Sequence, residues 1–141
     1  MELWIIYALL SAVFAALVAI FGKIGLQNID STLATTIRAF VMALFLLFVS
    51  LSLGKFGYLN TIKNKVLFFI ILSGISGALS WLFYFFALKT GVASGVAALD
   101  RLSVVFVVVF SILFLGEKLT LFTAAGALLI TAGAILMTIK R

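Results

Sequence analysis

Five uninterrupted apolar runs dominate this chain, at about residues 3–21, 33–53, 66–88, 96–115 and 121–139. Each is near the roughly 20 residues an α-helix needs to cross a bilayer. Hydrocarbon offers no partner to a backbone amide or carbonyl, so only helices and closed barrels span it. Barrel strands read as alternating segments of about ten residues, whereas these runs are continuous and about twice that length. The expected fold class is therefore an all-α integral membrane protein with five transmembrane helices. At 66% hydrophobic and 10% charged, the chain lies far from the soluble average of about 45–50% and about 25%. The links are too short to hold a separate soluble domain, so 1–141 is read as a single transmembrane domain. The first run does not read as a signal peptide. Glu2 stands where a positive segment would be, the run is long, and further spans follow at once.

The net charge of +6 would suggest nucleic acid for a soluble protein. Here most basic residues sit at the ends of apolar runs, where they meet lipid headgroups and influence topology. The bilayer is the expected partner, and nucleic acid is not. The chain has no cysteine and no histidine, so disulfides, thiolate chemistry and a transition-metal site are not expected. Without paired carboxylates close in sequence, few groups remain for acid–base or nucleophilic work. Neither an enzyme nor a cofactor is expected.

Three charges fall inside the apolar runs: Arg38 in the second, and Asp100 and Arg101 in the fourth. A charge at the centre of a membrane helix costs about 2.5–3.5 kcal/mol on insertion scales, which makes such residues candidates for function. Asp100 is the sharper clue, since a short carboxylate cannot snorkel as arginine can. With five spans, the links 23–31 and 89–95 share one side with the C-terminus, and the second and fourth helices both start there. Arg38, Asp100 and Arg101 then lie ~6–8 Å below that surface at 1.5 Å per residue. Trp81 and Tyr84, near the end of the third helix, reach the same layer.

Two readings follow. In one, Arg38 pairs with Asp100 in a gate or substrate-binding layer that Trp81 and Tyr84 line. In the other, the arginines snorkel, Asp100 caps the start of the fourth helix, and the two aromatics form an interfacial belt. Asp100 and Arg101 are sequence neighbours, point about 100° apart, and make poor partners for each other.

Smaller signals accompany these. Ser73, Gly77, Ser80 and Tyr84 recur at helical spacing as a small, polar stripe. Ala12, Ala15, Ala16 and Ala19 in the first helix, and Ala125, Gly126 and Gly133 in the fifth, suit close helix packing. Ser31 or Thr32 is the expected N-cap of the second helix, and Glu117 with Lys118 reads as a turn pair.

The basic residues divide almost evenly between the two sides. Lys55, Lys63, Lys65 and Lys118 face the N-terminal side, and Lys23, Lys89, Lys140 and Arg141 the other. Arg38 and Arg101 tip the balance only weakly. Such a near-tie gives the positive-inside rule little to act on. It suits a chain that inserts both ways and pairs as an antiparallel homodimer, or one oriented by a partner.

The runs WLFYFFALKTGVASGVAALDRLSVVFVVVFSILFLGEKLT and AIFGKIGLQNIDSTLATTIRAFVM resemble the EamA domain of the drug/metabolite transporter superfamily, in its short five-helix form. The resemblance covers essentially the whole chain. It implies one EamA-like repeat working as a dimer, equivalent to a ten-helix transporter of two inverted repeats around a midplane site. It further implies a secondary transporter that exports small metabolites across a cytoplasmic membrane. Asp100 would then be the candidate for proton coupling, and Arg38 and Arg101 for anionic substrate groups. Relatives often carry a proline just before the position of Asp100. Here Ala98 and Leu99 stand there and the chain has no proline, so no proline-made break is expected. Small multidrug pumps resemble four-helix proteins with an essential glutamate in the first helix, which this first helix lacks. A lipid-intermediate flippase and a non-transporting membrane subunit or assembly factor stand as alternatives.

Overall fold

A computed structural model describes residues 2–139. Lys140 and Arg141, which the sequence places at the interface, lie outside the described residues. The helices are α1 (Leu3–Gly25), α2 (Ser31–Ser52), α3 (Asn64–Thr90), α4 (Ala93–Asp100), α5 (Ser103–Phe110) and α6 (Leu121–Thr138). A 3-10 segment, Lys55–Thr61, follows α2, and a π turn, Ser111–Leu115, follows α5. With Ala93–Leu115 taken as one span, five helices among the described residues are long and apolar enough to cross a membrane. All are longer at their starts or ends than the apolar runs alone, except the last. Helices continue through polar flanks while their amides find partners, so hydropathy marks the membrane portion rather than the hydrogen-bonded one.

Burial is sparse, as expected of helices whose solvent is lipid. The buried hydrophobic residues are Ala19, Leu26, Phe85, Leu88, Ala98 and Ala134, far too few for a water-excluding core. The chain divides into two compact units, 1–24 with 90–141 and 25–89.

In the first unit, α4 packs on α6 and α5 on α6. The approach is made by small side chains: Ala98 and Ala134 are buried. A Cβ placed on Gly95 would lie 3.7 Å from the Met137 carbonyl oxygen and 3.8 Å from Thr138 Cγ2. Small residues allow such contact where no hydrophobic force separates helix from lipid. Of the α1 alanines only Ala19 is buried, while Ala12 and Ala16 are exposed. A Cβ at Gly126 or Gly133 would meet nothing within 4 Å, so the glycines expected to pack α6 closely have no such neighbour among the described residues. Lys23, in the last turn of α1, donates from Nζ to the Gly91 carbonyl at 2.8 Å.

The fourth span is interrupted despite the absence of proline. The amides of Arg101, Leu102, Val104 and Val105 bond three residues back, at 2.9–3.2 Å. The helix is thus tightened to 3-10 geometry immediately after Asp100. Ten residues later it widens into the π turn, where the amides of Gly116 and Glu117 both reach the Ser111 carbonyl. Gly116 closes this end at φ 68°, a left-handed conformation that glycine adopts without steric cost.

In the second unit α2 and α3 run antiparallel. Asp30, rather than Ser31 or Thr32, is the N-cap of α2, and its carboxylate accepts from the Leu33 amide at 3.0 Å. The helix begins two residues before its apolar run, which moves the cap back with it. At the opposite end Gly54 takes φ 62° and turns the chain away. Lys89, in the last turn of α3, donates from Nζ to the Ile29 carbonyl at 2.8 Å, fastening the end of α3 to the residue before the cap.

The α4–α6 contact yields a size-graded expectation. Gly95→Ala adds only an ordinary van der Waals contact, so stability in detergent micelles should stay within about 0.5 kcal/mol of wild type. Gly95→Leu must force the two backbones apart and should cost about 1–3 kcal/mol. Equal thermal stability of the two variants would show that α4 and α6 do not meet at this point.

Candidate functional site

A groove of about 860 Å³ lies between α2 and α3. Its α2 wall runs from Thr32 through Arg38, Met42 and Ala43 to Leu46, and its α3 wall from Gly74 through Gly77 and Ala78 to Trp81 and Leu82. The shared spacing of three and four residues puts each set on one helical face. Arg38 is the sole charged residue of this lining. It stands seven residues past the first residue of α2, ~10 Å along the helix and deeper than the hydropathy boundary implied.

The guanidinium of Arg38 is held by aromatic faces. Its Cζ lies 3.6 Å from the Trp81 ring centroid and 5.6 Å from that of Phe85. A cation within about 6 Å of a ring centroid is attracted by the quadrupole of the ring, most strongly on tryptophan. Trp81 is in turn steadied by Tyr84 and Phe85, with centroids 5.4 and 6.1 Å away and rings steeply inclined. Phe85 is buried, so the platform is anchored from below. Thr35 and Thr36 donate their hydroxyl protons to the carbonyls four residues back, at 2.7 and 2.9 Å. Their oxygens thus keep only acceptor capacity toward the groove.

Arg38, Trp81 and Tyr84 therefore come together in one unit. Asp100 and Arg101 belong to the other. Asp100 is the last residue of α4 and partly exposed, and Arg101 is exposed at the tight turn that follows. Asp100 caps neither helix, because Val92 and Leu102 hold the N-cap positions of α4 and α5. The reading of Asp100 as a cap is thus corrected: α4 starts three residues before the apolar run, which places Asp100 two turns inside the span. Of the small, polar stripe on α3, Gly77 lines the groove. Ser73 and Ser80 are exposed and outside the groove lining, which Gly74, Gly77, Ala78 and Trp81 supply. Phe85 went unrecognised because it sits among four neighbouring aromatics that composition alone cannot rank. Its i+4 relation to Trp81 was the available signal.

Membrane-length helices with an interrupted span and a largely apolar groove bearing a single cation define a multi-pass helical membrane protein. The model of the EamA-like transporter family matches residues 2–139, and the chain belongs to that family. It is 44% identical over 136 residues to an uncharacterized transporter in the cobO 3' region of Sinorhizobium sp, covering 96% of both chains. An uncharacterized protein of Methanocaldococcus jannaschii is 31% identical over 142 residues, covering 99% of both. The uncharacterized transporter YvbV of Bacillus subtilis is 30% identical over 136 residues, which are 96% of this chain and 45% of YvbV. No solved structure matches the chain.

Outside the spans, the cap of α2 has a pH dependence. The bond from the Leu33 amide, aided by other hydrogen bonds and by Lys89, holds the Asp30 carboxyl below the ordinary carboxylate range. A depressed folded pKa adds stability above the unfolded pKa of about 3.9, and that stability fades as pH falls through the folded value. The unfolding temperature should thus drop as pH is lowered from about 5 to about 3. Asp30→Asn keeps a capping oxygen without a titrating proton and should show a flatter profile. Identical profiles would remove Asp30 from this role.

Proposed function

We propose that the chain is a secondary transporter that exports small metabolites across a cytoplasmic membrane, working as an antiparallel homodimer with the α2–α3 groove as the substrate path. The observation that carries this reading is Arg38, a charge kept inside a groove otherwise built for hydrocarbon. A helix that only spans or anchors has no use for such an expensive residue. Asp100 is the candidate for proton coupling. It stands beside the tightened turn of the fourth span, and mid-helix 3-10 turns often mark hinges. Arg101, exposed at that turn, is the candidate for anionic substrate groups beside it.

The dimer reading is supported by two independent facts. The basic residues divide nearly evenly between the two sides, and the chain matches 45% of YvbV, as one repeat of a doubled protein would. In an antiparallel pair the two copies together present one groove toward each side of the membrane, which supplies two access states around a midplane.

Orientation tests the pairing directly. Because the chain has no cysteine, one added after Arg141 can be probed with a membrane-impermeant thiol reagent in intact cells. About half the molecules should label, rising to all after permeabilisation, as dual insertion requires. Complete or absent labelling in intact cells would mean one fixed orientation and refute the antiparallel homodimer. In reconstituted vesicles Asp100→Asn should abolish proton-driven flux, and undiminished flux would exclude Asp100 from coupling.

A further inference from the structure

We infer that the α2–α3 groove binds a small amphipathic organic anion, with its single acidic head on Arg38 and its apolar body laid toward Leu46 and Gly74. This names the substrate class for the transport reading above and rests on it.

The head is fixed by what Arg38 lacks. Among the described residues no oxygen accepts from its guanidinium, and its contacts are the faces of Trp81 and Phe85. An aromatic face attracts the cation but supplies no lone pair to its five N–H donors. Stacking through the flat face leaves the edges of the fork open, which is the geometry for bidentate capture of a carboxylate or phosphate. The threonines cannot compete for that head. Thr35 and Thr36 have committed their protons to backbone carbonyls, so they turn only oxygen lone pairs outward and would repel an anion.

The body is fixed by the lining beyond Arg38. Met42, Ala43, Leu46 and Ile75 carry no side-chain donor or acceptor other than a thioether. A sugar or polyol laid there would leave its hydroxyls unpaired, a cost of about 1–3 kcal/mol for each by protein mutation data. Room is not limiting. A Cβ on Gly74 or Gly77 would meet nothing within 4 Å, and about 860 Å³ falls within the usual range of small-molecule sites.

Trp81 provides a readout that does not depend on transport. The chain has two tryptophans, and Trp4 is exposed at the start of α1. Trp4→Phe therefore leaves Trp81 as the one indole, with a cation on its face that an acidic ligand must disturb. The full chain carrying this change, in a neutral maltoside detergent, is titrated with decanoate, decanamide and acetate while Trp81 emission is followed. A saturable change with decanoate, at least about ten-fold weaker with each of the other two, is expected from a charged hydrogen bond combined with apolar burial. Arg38→Gln should weaken decanoate about ten-fold or more, and Gly77→Leu should weaken it by filling the groove. The decanoate–decanamide comparison needs neither variant to fold. An equal response to decanamide, or to acetate, would overturn the assignment.

The same protein in nanodiscs with and without phosphatidylglycerol separates a soluble anion from a bilayer lipid. If phosphatidylglycerol alone reproduces the change and decanoate adds nothing, the occupant is lipid and the proposal fails. A saturable decanoate response with no decanoate flux in vesicles would uphold the site and remove the transport reading. Decanoate flux without any Trp81 response would do the reverse.

Discussion

The guanidinium of Arg38, 3.6 Å above the Trp81 ring, is partly buried inside a span made for hydrocarbon. A charge in that position must be compensated or expelled. Compensation by an aromatic face asks for a particular register between two helices, because the ring must come from the facing helix at the right height. The α2–α3 pair is fixed to suit. Asp30 sets where α2 begins, and Lys89 ties the end of α3 to the Ile29 carbonyl just before it. These bonds are exposed and individually weak. They lie at the interface end, where they position the pair without having to fill the space between the helices. That space is what the groove consists of.

A second constraint acts on the fourth span. Within a membrane no water relieves a broken backbone bond, so an irregular helix must find other partners for its amides. Here the chain does so locally, first by tightening to 3-10 bonds after Asp100 and then by widening into a π turn before Gly116. A tight and a loose turn have opposite effects on helical phase. The span therefore stays continuous across Ala93–Leu115, while the residues between the two turns are rotated relative to a regular helix. Proline is the usual cause of such a break. Its absence shows that an irregular fourth span does not require one.

The number and order of the spans were legible in the sequence because one solvent imposes one rule: about twenty apolar residues in a row. The helix starts were less legible. Hydropathy cannot see Ser31 or Ala93, which are helical through hydrogen bonding and capping rather than through lipid contact. That two- or three-residue error carried over to the depths of Arg38 and Asp100, and it made Asp100 look like a cap. Trp81 was visible as an aromatic near a charged layer, but its role as the seat of Arg38 was not. Stacking depends on the offset between two helices, and neither helix encodes that offset in its own periodicity. The small, polar stripe on α3 meets the same limit. Ser73 and Ser80 have the right spacing, yet the face that lines the groove is set by Gly74, Gly77 and Trp81.

Exposure in this chain has to be read against lipid, and exposed leucine or phenylalanine says nothing about partners, since both are at home in hydrocarbon. Glycine is different. In a helix it costs about 0.8–1 kcal/mol relative to alanine, and toward lipid it returns no contact area. Gly126 and Gly133 on α6 have open space where a Cβ would stand, whereas at Gly95 a Cβ would already be in van der Waals contact with α6. Neither α6 glycine meets a neighbour among the described residues, which leaves room there for another helix to approach. The proposed antiparallel copy would supply that helix, and close packing of small residues is how membrane helices associate when the hydrophobic effect is absent. The near-even charge division suits insertion in both orientations, which the proposed antiparallel pairing requires.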